Sequence, residues 1–293
     1  MITDEQGNKW YKGNLHTHTT VSDGVRTPEE VIALYREKGY DFLALTDHWH
    51  TSENRITEDG MLLLSGCEFN VGERDVLWGI YHLVGIGFTE EPNLTFAPYL
   101  EPQKIIDEVH RCGGLINLAH PAWSLNTPEQ ILPLRDIDVT EIFNSVSDTP
   151  WNARPYSGYF VDVMASRSRL FPCIADDDAH FYNGDETRSY LMLKADSLTR
   201  ESVLAALRSG DFYATQGPSL RLEIADGVVY AHTSPVEKII FYSNSIYSTE
   251  RVTQGHDLTE AVYHLQPVET FIRAEAIDKE GRTAWTSPIP VRK

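Results

Sequence analysis

The chain has 293 residues, 41% of them hydrophobic and 23% charged, so it can bury a large core and does not have the composition of a disordered protein. Its formal net charge of −18 argues against a general polyanion-binding surface, because clustered Lys and Arg are needed to hold nucleic-acid phosphates. We therefore expect no long nucleic acid as a partner.

The first residues are polar and acidic and lack the basic and apolar regions of a signal peptide. No run of 18 apolar residues is present, so we expect a cytoplasmic protein that does not contact a membrane. Cys67, Cys112 and Cys173 are scattered and show no Cys-x-x-Cys spacing. This pattern predicts reduced thiols in the core.

Short apolar runs alternate with amphipathic segments up to about residue 217. Buried strands are predicted over residues 41–46, 62–66, 81–86, 115–119 and 171–175. A helix is predicted from Thr27-Pro28-Glu29-Glu30, which supplies an N-cap, a first-turn Pro and a capping Glu, to Lys38-Gly39. Further helices are predicted over residues 101–111, 127–135, 155–167 and 199–208. The alternation favours a parallel sheet, either open or rolled into a barrel.

The pattern changes after Gly217-Pro218. Residues 220–224, 238–243 and 270–276 are strand-like, without a convincing helix between them. We expect two domains, residues 1–217 and a small immunoglobulin-like β-sandwich over residues 218–293. The first holds 17 basic and 33 acidic residues and the second 8 and 10, giving net charges of −16 and −2. The acidic excess suits a cation-binding basin, although a solvated acidic surface would look the same.

Side chains that can bind metal ions recur at the ends of the predicted strands. They are His16 and His18 after residues 12–15, His48 after 42–46, Glu68 after 62–66, His82 within 81–86, His120 after 115–119, and Asp178 and His180 after 171–175. The carboxyl ends of parallel strands form one rim, so we expect these side chains to converge there.

These motifs resemble the PHP (polymerase and histidinol phosphatase) family over about residues 10–217. The matching motifs are His16-x-His18, Ser22-Asp23-Gly24, Thr46-Asp47-His48, Glu68, His82, His120-Pro121 and Asp178-x-His180. Residues 212–218, with the sequence Phe-Tyr-Ala-Thr-Gln-Gly-Pro, and the final segment look closest to the branch that contains the CehA/McbA carbamate hydrolases.

The resemblance implies a distorted (β/α)7 TIM-like barrel that carries two or three divalent ions, with Zn, Mn or Fe as the candidates. The implied ligands are His16, His18, Glu68 and Asp178 for one ion, Asp23, His48 and His180 for a second, and Glu68, His82 and His120 for a third. Imidazole and carboxylate ligands together suit these metals. Neighbouring ions lower the pKa of bound water towards ~7 and can hold both oxygens of a phosphoryl transfer.

We therefore expect a phosphoesterase that acts on a small phosphorylated substrate, such as a nucleotide or sugar phosphate, through a metal-bridging hydroxide. Glu68, Asp178 and His180 are the candidate catalytic residues. The same cluster could instead hydrolyse an ester, amide or carbamate, and a metal-stabilised binding module is a third hypothesis. The oligomeric state is left open.

Several residues near these motifs have two interpretations. Arg26 and Arg188 either hold a substrate phosphate in bidentate fashion or are ordinary surface arginines. His50 faces the substrate or is merely exposed. Asp176 and Asp177, just before Asp178, either support the ligands or are solvated. Trp49 and the pair Leu77-Trp78 line the pocket or pack in the core.

Overall fold

The structure is a computed structural model that describes residues 1–4, 6–72 and 79–291. Leu77 and Trp78, for which a pocket or core position is predicted, lie outside these residues. The described residues form eighteen strands and five helices. In chain order the elements are β1 (Ile2–Thr3), β2 (Lys9–Asn14), α1 (Pro28–Glu37), β3 (Phe42–Ala44), β4 (Arg55–Ile56), β5 (Leu62–Leu64), β6 (Gly66–Gly72), β7 (Ile80–Ile86), α2 (Pro102–Arg111), β8 (Leu115–Leu118), α3 (Pro128–Ile131), β9 (Val139–Asn144), α4 (Gly158–Ser166), β10 (Cys173–Asp176), β11 (Tyr190–Lys194), α5 (Arg200–Ser209), β12 (Phe212–Thr215), β13 (Leu220–Ala225), β14 (Val228–Ser243), β15 (Val252–His264), β16 (Phe271–Ile277), β17 (Thr283–Trp285) and β18 (Ile289–Pro290).

The fold is an α/β arrangement built on two mixed sheets, which confirms the predicted class. In one sheet β2, β3 and β5 run parallel, and in the other β8, β9 and β10 run parallel. A parallel bridge between Thr17 and Ala179 connects the segments that follow β2 and β10. The strands β6, β7 and β8 pair in antiparallel fashion. The described elements therefore depart from a regular strand and helix repeat.

The first helix follows its predicted signals closely. The Thr27 side chain accepts a hydrogen bond from the Glu30 amide, and the Glu30 side chain accepts one from the Thr27 amide, which forms a capping box. Gly39, just beyond the helix, has φ 76°, a conformation that glycine adopts at low cost. By contrast, α3 ends at Ile131 although a helix is predicted to residue 135. Pro133 explains the early end, because proline lacks the amide hydrogen that a helix interior needs.

The C-terminal strands are longer than predicted and continue the first sheet. β14 extends well beyond the predicted run over residues 238–243, and it forms a long antiparallel pair with β15, where no strand is predicted. The pairing of β12 with β17 joins the C-terminal strands to β11 and β2, so hydrogen bonding crosses the predicted boundary at residue 217. The division into two domains stays a prediction. No helix among the described residues is long and apolar enough to cross a bilayer.

A buried arginine connects α4 to β16. The Arg273 guanidinium is fully buried and donates to Asp162 at 2.6 and 2.8 Å and to Glu275 at 2.6 Å. It also lies 3.9 Å from the centre of the Tyr242 ring. Burial opposes its charge, but the two carboxylates raise the pKa of Arg273 well above its ordinary value. Removing the guanidinium would leave these carboxylates without their cation.

We expect Arg273→Met to lower the free energy of unfolding by about 3–5 kcal/mol, because breaking a buried pair leaves uncompensated charge. The matched control is Arg36→Met, which removes the exposed pair with Asp59 and should cost only about 0–1 kcal/mol. Urea-induced unfolding of both variants measures the difference. Equal losses in the two variants would contradict the assigned role of Arg273.

Candidate metal centre

The nine predicted ligands converge in three groups. Glu68, which is predicted to follow a strand, lies within β6, and His82 lies within β7. Within each group the candidate donor atoms lie within 4.8 Å of one another. The groups are His16, His18, Glu68 and Asp178; His18, Asp23, His48 and His180; and Glu68, His82 and His120. They match the three predicted sets, except that His18 also approaches the second set. The predicted convergence on one rim is therefore present in the structure, whereas the roles of the residues as ligands stay predictions.

The Glu68 carboxylate lies at the centre of the cluster and is only 1% exposed. Its Oε2 atom is 3.1 Å from His16 Nε2, 3.0 Å from His18 Nε2 and 3.4 Å from His48 Nδ1. Its Oε1 atom is 2.6 Å from His82 Nδ1 and 3.5 Å from His120 Nε2. One carboxylate thus contacts imidazoles from all three groups.

Asp178 and His120 occupy the left-handed region of backbone conformation. Asp178 has φ 52° and His120 has φ 28°, values that cost energy for residues other than glycine. The Asp178 amide donates to the His16 carbonyl at 2.8 Å, which fixes the turn after β10. Asp178 Oδ1 then lies 3.2 Å from His16 Nε2 and 3.1 Å from His18 Nε2. Such strain is typical of functional sites.

Asp23 closes the solvent side of the cluster and is about half exposed. Its Oδ1 atom lies 3.3 Å from His18 Nδ1. Its Oδ2 atom lies 3.5 Å from His180 Nε2 and 3.7 Å from His48 Nε2. This group is the most accessible of the three from the cavity.

Glu141, for which no role is predicted, contacts the cluster through hydrogen bonds to His16 and His120. It lies on β9, is fully buried, and its Oε1 is 2.7 Å from His16 Nδ1. Its Oε2 accepts hydrogen bonds from the His120 amide at 3.0 Å and from Asn144 Nδ2 at 2.8 Å. Asn144 Nδ2 also donates to Asp178 Oδ2 at 3.2 Å. A carboxylate on the far nitrogen of a ligating histidine fixes the tautomer and orientation of the ring.

Other buried carboxylates hold the loops that carry the ligands. Asp47 accepts hydrogen bonds from the Thr19 and Ser22 amides and hydroxyls. Asp177 accepts from the amides of residues 187, 188 and 189, and burial raises its pKa to about 6. Asp176 accepts from the Leu15 amide at 2.7 Å. Asp176 and Asp177 are fully buried rather than solvated, so their position suits the supporting interpretation.

The electrostatics follow from burying opposite charges together. Burial alone would lower the pKa of His16 and His18, but the surrounding carboxylates raise it well above its ordinary value. Burial likewise opposes ionisation of Glu68, yet His48, His16 and the other imidazoles hold its pKa well below the usual range. His48 differs, because burial lowers its pKa. Divalent cations would take the place of the imidazolium protons, since metal ligands must be deprotonated.

The donor set fits divalent ions. It combines imidazole nitrogens with carboxylate oxygens, as Zn, Mn and Fe sites do. Two buried candidate ligand atoms, His48 Nδ1 and Asp178 Oδ1, form no hydrogen bond within the described part of the chain, although both lie within 3.5 Å of other candidate ligand atoms. Unpaired buried polar atoms are costly and indicate a missing partner. The side chains therefore meet the requirements of a polynuclear cation site.

A cavity of about 220 Å³ opens above the cluster. Besides candidate ligands it is lined by Trp123, Val146, Ser147, Asn152 and Phe181, for which no site role is predicted. The indole of Trp123 lies edge-on to the rings of His82 and His120, with centroids 5.5 and 5.0 Å away. Only its position two residues after His120-Pro121 in the sequence could have indicated this placement.

The three predicted substrate-binding residues do not line this cavity. Arg26 lies over the Tyr182 ring, and Arg188 pairs with Asp148 at 2.9 Å. His50 is exposed and lines a separate cavity of about 270 Å³. Trp49 packs edge-on against Phe69, with ring centroids 5.1 Å apart. The structure gives these residues other contacts, and their predicted roles stay predictions.

Comparison with solved structures identifies a related fold. The chain aligns over 99% of its length with 98% of a two-domain protein from Bacteroides vulgatus that contains a predicted PHP-like metal-dependent phosphoesterase, with a TM-score of 0.56 and 15% identity. The predicted resemblance to PHP proteins is thereby confirmed at the level of the fold. No family model matches the chain.

Two curated proteins are similar to parts of the sequence. An uncharacterized protein of Methanocaldococcus jannaschii is 24% identical over 147 residues, which are 46% of this chain and 82% of that protein. A 5′-3′ exoribonuclease of Haemophilus influenzae is 34% identical over 106 residues, which are 33% of this chain and 36% of that protein. The placement in the CehA/McbA branch stays a prediction.

We expect Glu68→Gln to reduce the bound metal at the two groups that contain it, because it removes an anionic donor that these two groups share. Elemental analysis of protein reconstituted with Zn, Mn or Fe measures the stoichiometry. His110→Gln is the control, since His110 pairs with Asp138 outside the cluster. Unchanged metal content in Glu68→Gln would contradict the proposed centre.

We expect Glu141→Gln to weaken metal binding by about 10- to 100-fold, the usual cost of losing an outer carboxylate that orients a ligand. Competition with a chromophoric chelator measures the affinity. The His16 ring tautomer, followed by ¹⁵N NMR, should also become mixed. An unaltered tautomer and affinity would show that Glu141 is only a packing residue.

Proposed function

We propose that the chain is a PHP-type metal-dependent hydrolase that acts as a phosphoesterase on a small phosphorylated substrate, such as a nucleotide or sugar phosphate. The observation that carries this proposal is the position of Glu68, within 3.5 Å of ring nitrogens from five histidines at the floor of a cavity. The described relatives add support, because one contains a predicted phosphoesterase and another is named as an exoribonuclease.

The nine predicted ligands would hold two or three ions of Zn, Mn or Fe. Such ions supply ionised water and neutralise charge on phosphoryl oxygens. Among the candidate catalytic residues, Glu68 belongs to two of the three groups, and all three residues line the cavity. Asn144 and Glu141 keep Asp178 and His16 in place, so that the substrate meets a preorganised site.

The cavity favours a small substrate. Its volume of about 220 Å³ is below the roughly 300–1,000 Å³ of pockets for drug-sized ligands. Ser147 and Asn152 offer hydroxyl and amide groups that can orient a phosphate ester, while Trp123 and Phe181 add aromatic rings to the wall. We also propose that the protein is cytoplasmic and that it binds neither a membrane nor long nucleic acid.

A second reaction is favoured by the apolar part of the wall. Trp123, Val146 and Phe181 give one side of the cavity an uncharged surface, which suits an ester, amide or carbamate of the CehA/McbA type. The same cluster would serve either reaction. A metal-stabilised binding module is the remaining hypothesis, and it predicts no turnover at all.

We also propose that residues 1–217 form a distorted (β/α)7 barrel and that residues 218–293 form a β-sandwich. The bridge between Thr17 and Ala179 supports the barrel, because it joins the two sheets near the ligands. A separate hydrophobic cluster, whose members all fall between Leu220 and Val291, supports the second domain.

A parallel assay of 4-nitrophenyl phosphate and a 4-nitrophenyl carbamate tests the reaction class. We expect protein reconstituted with Zn, Mn or Fe to hydrolyse the phosphate with the higher kcat/KM, and a screen of phosphorylated metabolites to identify the substrate. Asp178→Asn should lower kcat/KM by about 100-fold or more, while the His110→Gln control keeps it. Preference for the carbamate would support the alternative reaction. Turnover that survives removal of all metal would contradict both, and no turnover across a broad ester panel would favour the binding module.

A further inference from the structure

A second cleft lies away from the metal centre, where the N-terminal turn, β11, β12 and β13 meet. It consists of cavities of about 470 and 330 Å³ that share six lining residues, Asp4, Gln6, Trp10, Tyr213, Leu220 and Arg221. Within the described ranges, the residues that line it are all different from those around the metal centre. These volumes fall within the range of small-molecule sites, which often lie between structural units.

The floor and one wall of this cleft are apolar. Trp10 on β2 and Tyr213 on β12 pack with their ring centroids 5.5 Å apart. Met192, 7% exposed, and Leu220, 2% exposed, complete the floor. Paired aromatic rings beside a buried apolar floor provide a surface for a planar ring, because aromatic groups prefer offset or edge-on contact with each other.

The polar rim of the cleft carries the hydrogen-bond donors of Arg221, Tyr213 and His232 beside acceptors such as the Asp4 carboxylate. Arg221 donates one hydrogen bond, to Gln6 Oε1 at 2.7 Å. Among the described residues, we find no hydrogen bond from the remaining N–H groups of the Arg221 guanidinium. The same holds for the Tyr213 hydroxyl and the His232 ring. Asp4 already accepts hydrogen bonds from Trp10 Nε1 at 2.9 Å and from the amides of Gln6 and Asn8 at 3.0 and 2.8 Å. The unused groups therefore suit a ligand that brings acceptor oxygens.

We propose that the cleft lined by Trp10 and Tyr213 is a binding site for a planar aromatic carboxylate. The ring would contact Trp10 and Tyr213, and the carboxylate would accept hydrogen bonds from Arg221, with His232 at the same rim. Arg suits this task because its planar fork matches the geometry of a carboxylate. The site is independent of the hydrolase reaction. It also gives a role to Tyr213, which belongs to the motif at residues 212–218 that the metal centre does not use.

Calorimetric titration with 2-naphthoate and its neutral analogue 2-naphthamide tests this site in the full chain. We expect both to bind, with the carboxylate about 3- to 5-fold tighter, the effect of one partly exposed ion pair. Arg221→Gln should remove this difference and leave the affinity for the amide unchanged. Tyr213→Leu should weaken both ligands by about 3- to 10-fold, because it removes an aromatic contact.

The control variant is Tyr230→Leu, which alters a tyrosine on β14 that does not line the cleft and should leave both affinities unchanged. Circular dichroism and melting temperature establish that each variant is folded. The same titrations with chelator-treated protein should give the same affinities. Absence of naphthoate binding at millimolar concentration, affinities unaltered in Tyr213→Leu and Arg221→Gln, or binding that disappears with the metal would each overturn the proposal, whatever the hydrolase assay shows.

Discussion

The central constraint on this protein is the burial of Glu68 and its neighbouring ionisable side chains in one cluster. Ionised groups in a protein interior are stable only when they are paired and hydrogen-bonded, or when they bind metal ions. Here the imidazoles and carboxylates compensate each other in part, while His48 Nδ1 and Asp178 Oδ1 have no hydrogen-bond partner among the described residues. Because the charges and hydrogen bonds of the cluster are only partly compensated, the site is suited to bind a cation.

The fold meets this constraint by bringing the predicted ligands together and by holding them with further buried carboxylates. Glu141, Asp47 and Asp177 are buried carboxylates that accept hydrogen bonds from the predicted ligand His16, from Thr19 and from the loop after Asp178, respectively. These three carboxylates orient neighbouring residues through hydrogen bonds and do not line the cavity. The cavity wall combines Ser147 and Asn152 with apolar side chains.

The sequence was most informative where the structural signal is local. The positions of the candidate ligands near predicted strand ends predicted that these side chains converge. The capping motif at Thr27 predicted the start of α1. Glu141 was missed, because a single acidic residue in an apolar strand has no local signature and gains its role from His16, 125 positions away. The wall residue Trp123 was missed for a similar reason, and the arginines expected to face the substrate pair elsewhere, as Arg188 does with Asp148. The pairing of β12 with β17 is likewise a long-range contact that periodicity does not reveal.

The most direct measurement is anomalous X-ray diffraction from crystals of the full chain loaded separately with Zn, Mn and Fe. We predict element-specific peaks between Glu68 and the surrounding imidazoles, with one ion in each occupied group of donors. Crystals that contain the metal only at other positions, or an ordered cluster around Glu68 without any anomalous peak at saturating metal, would contradict the account.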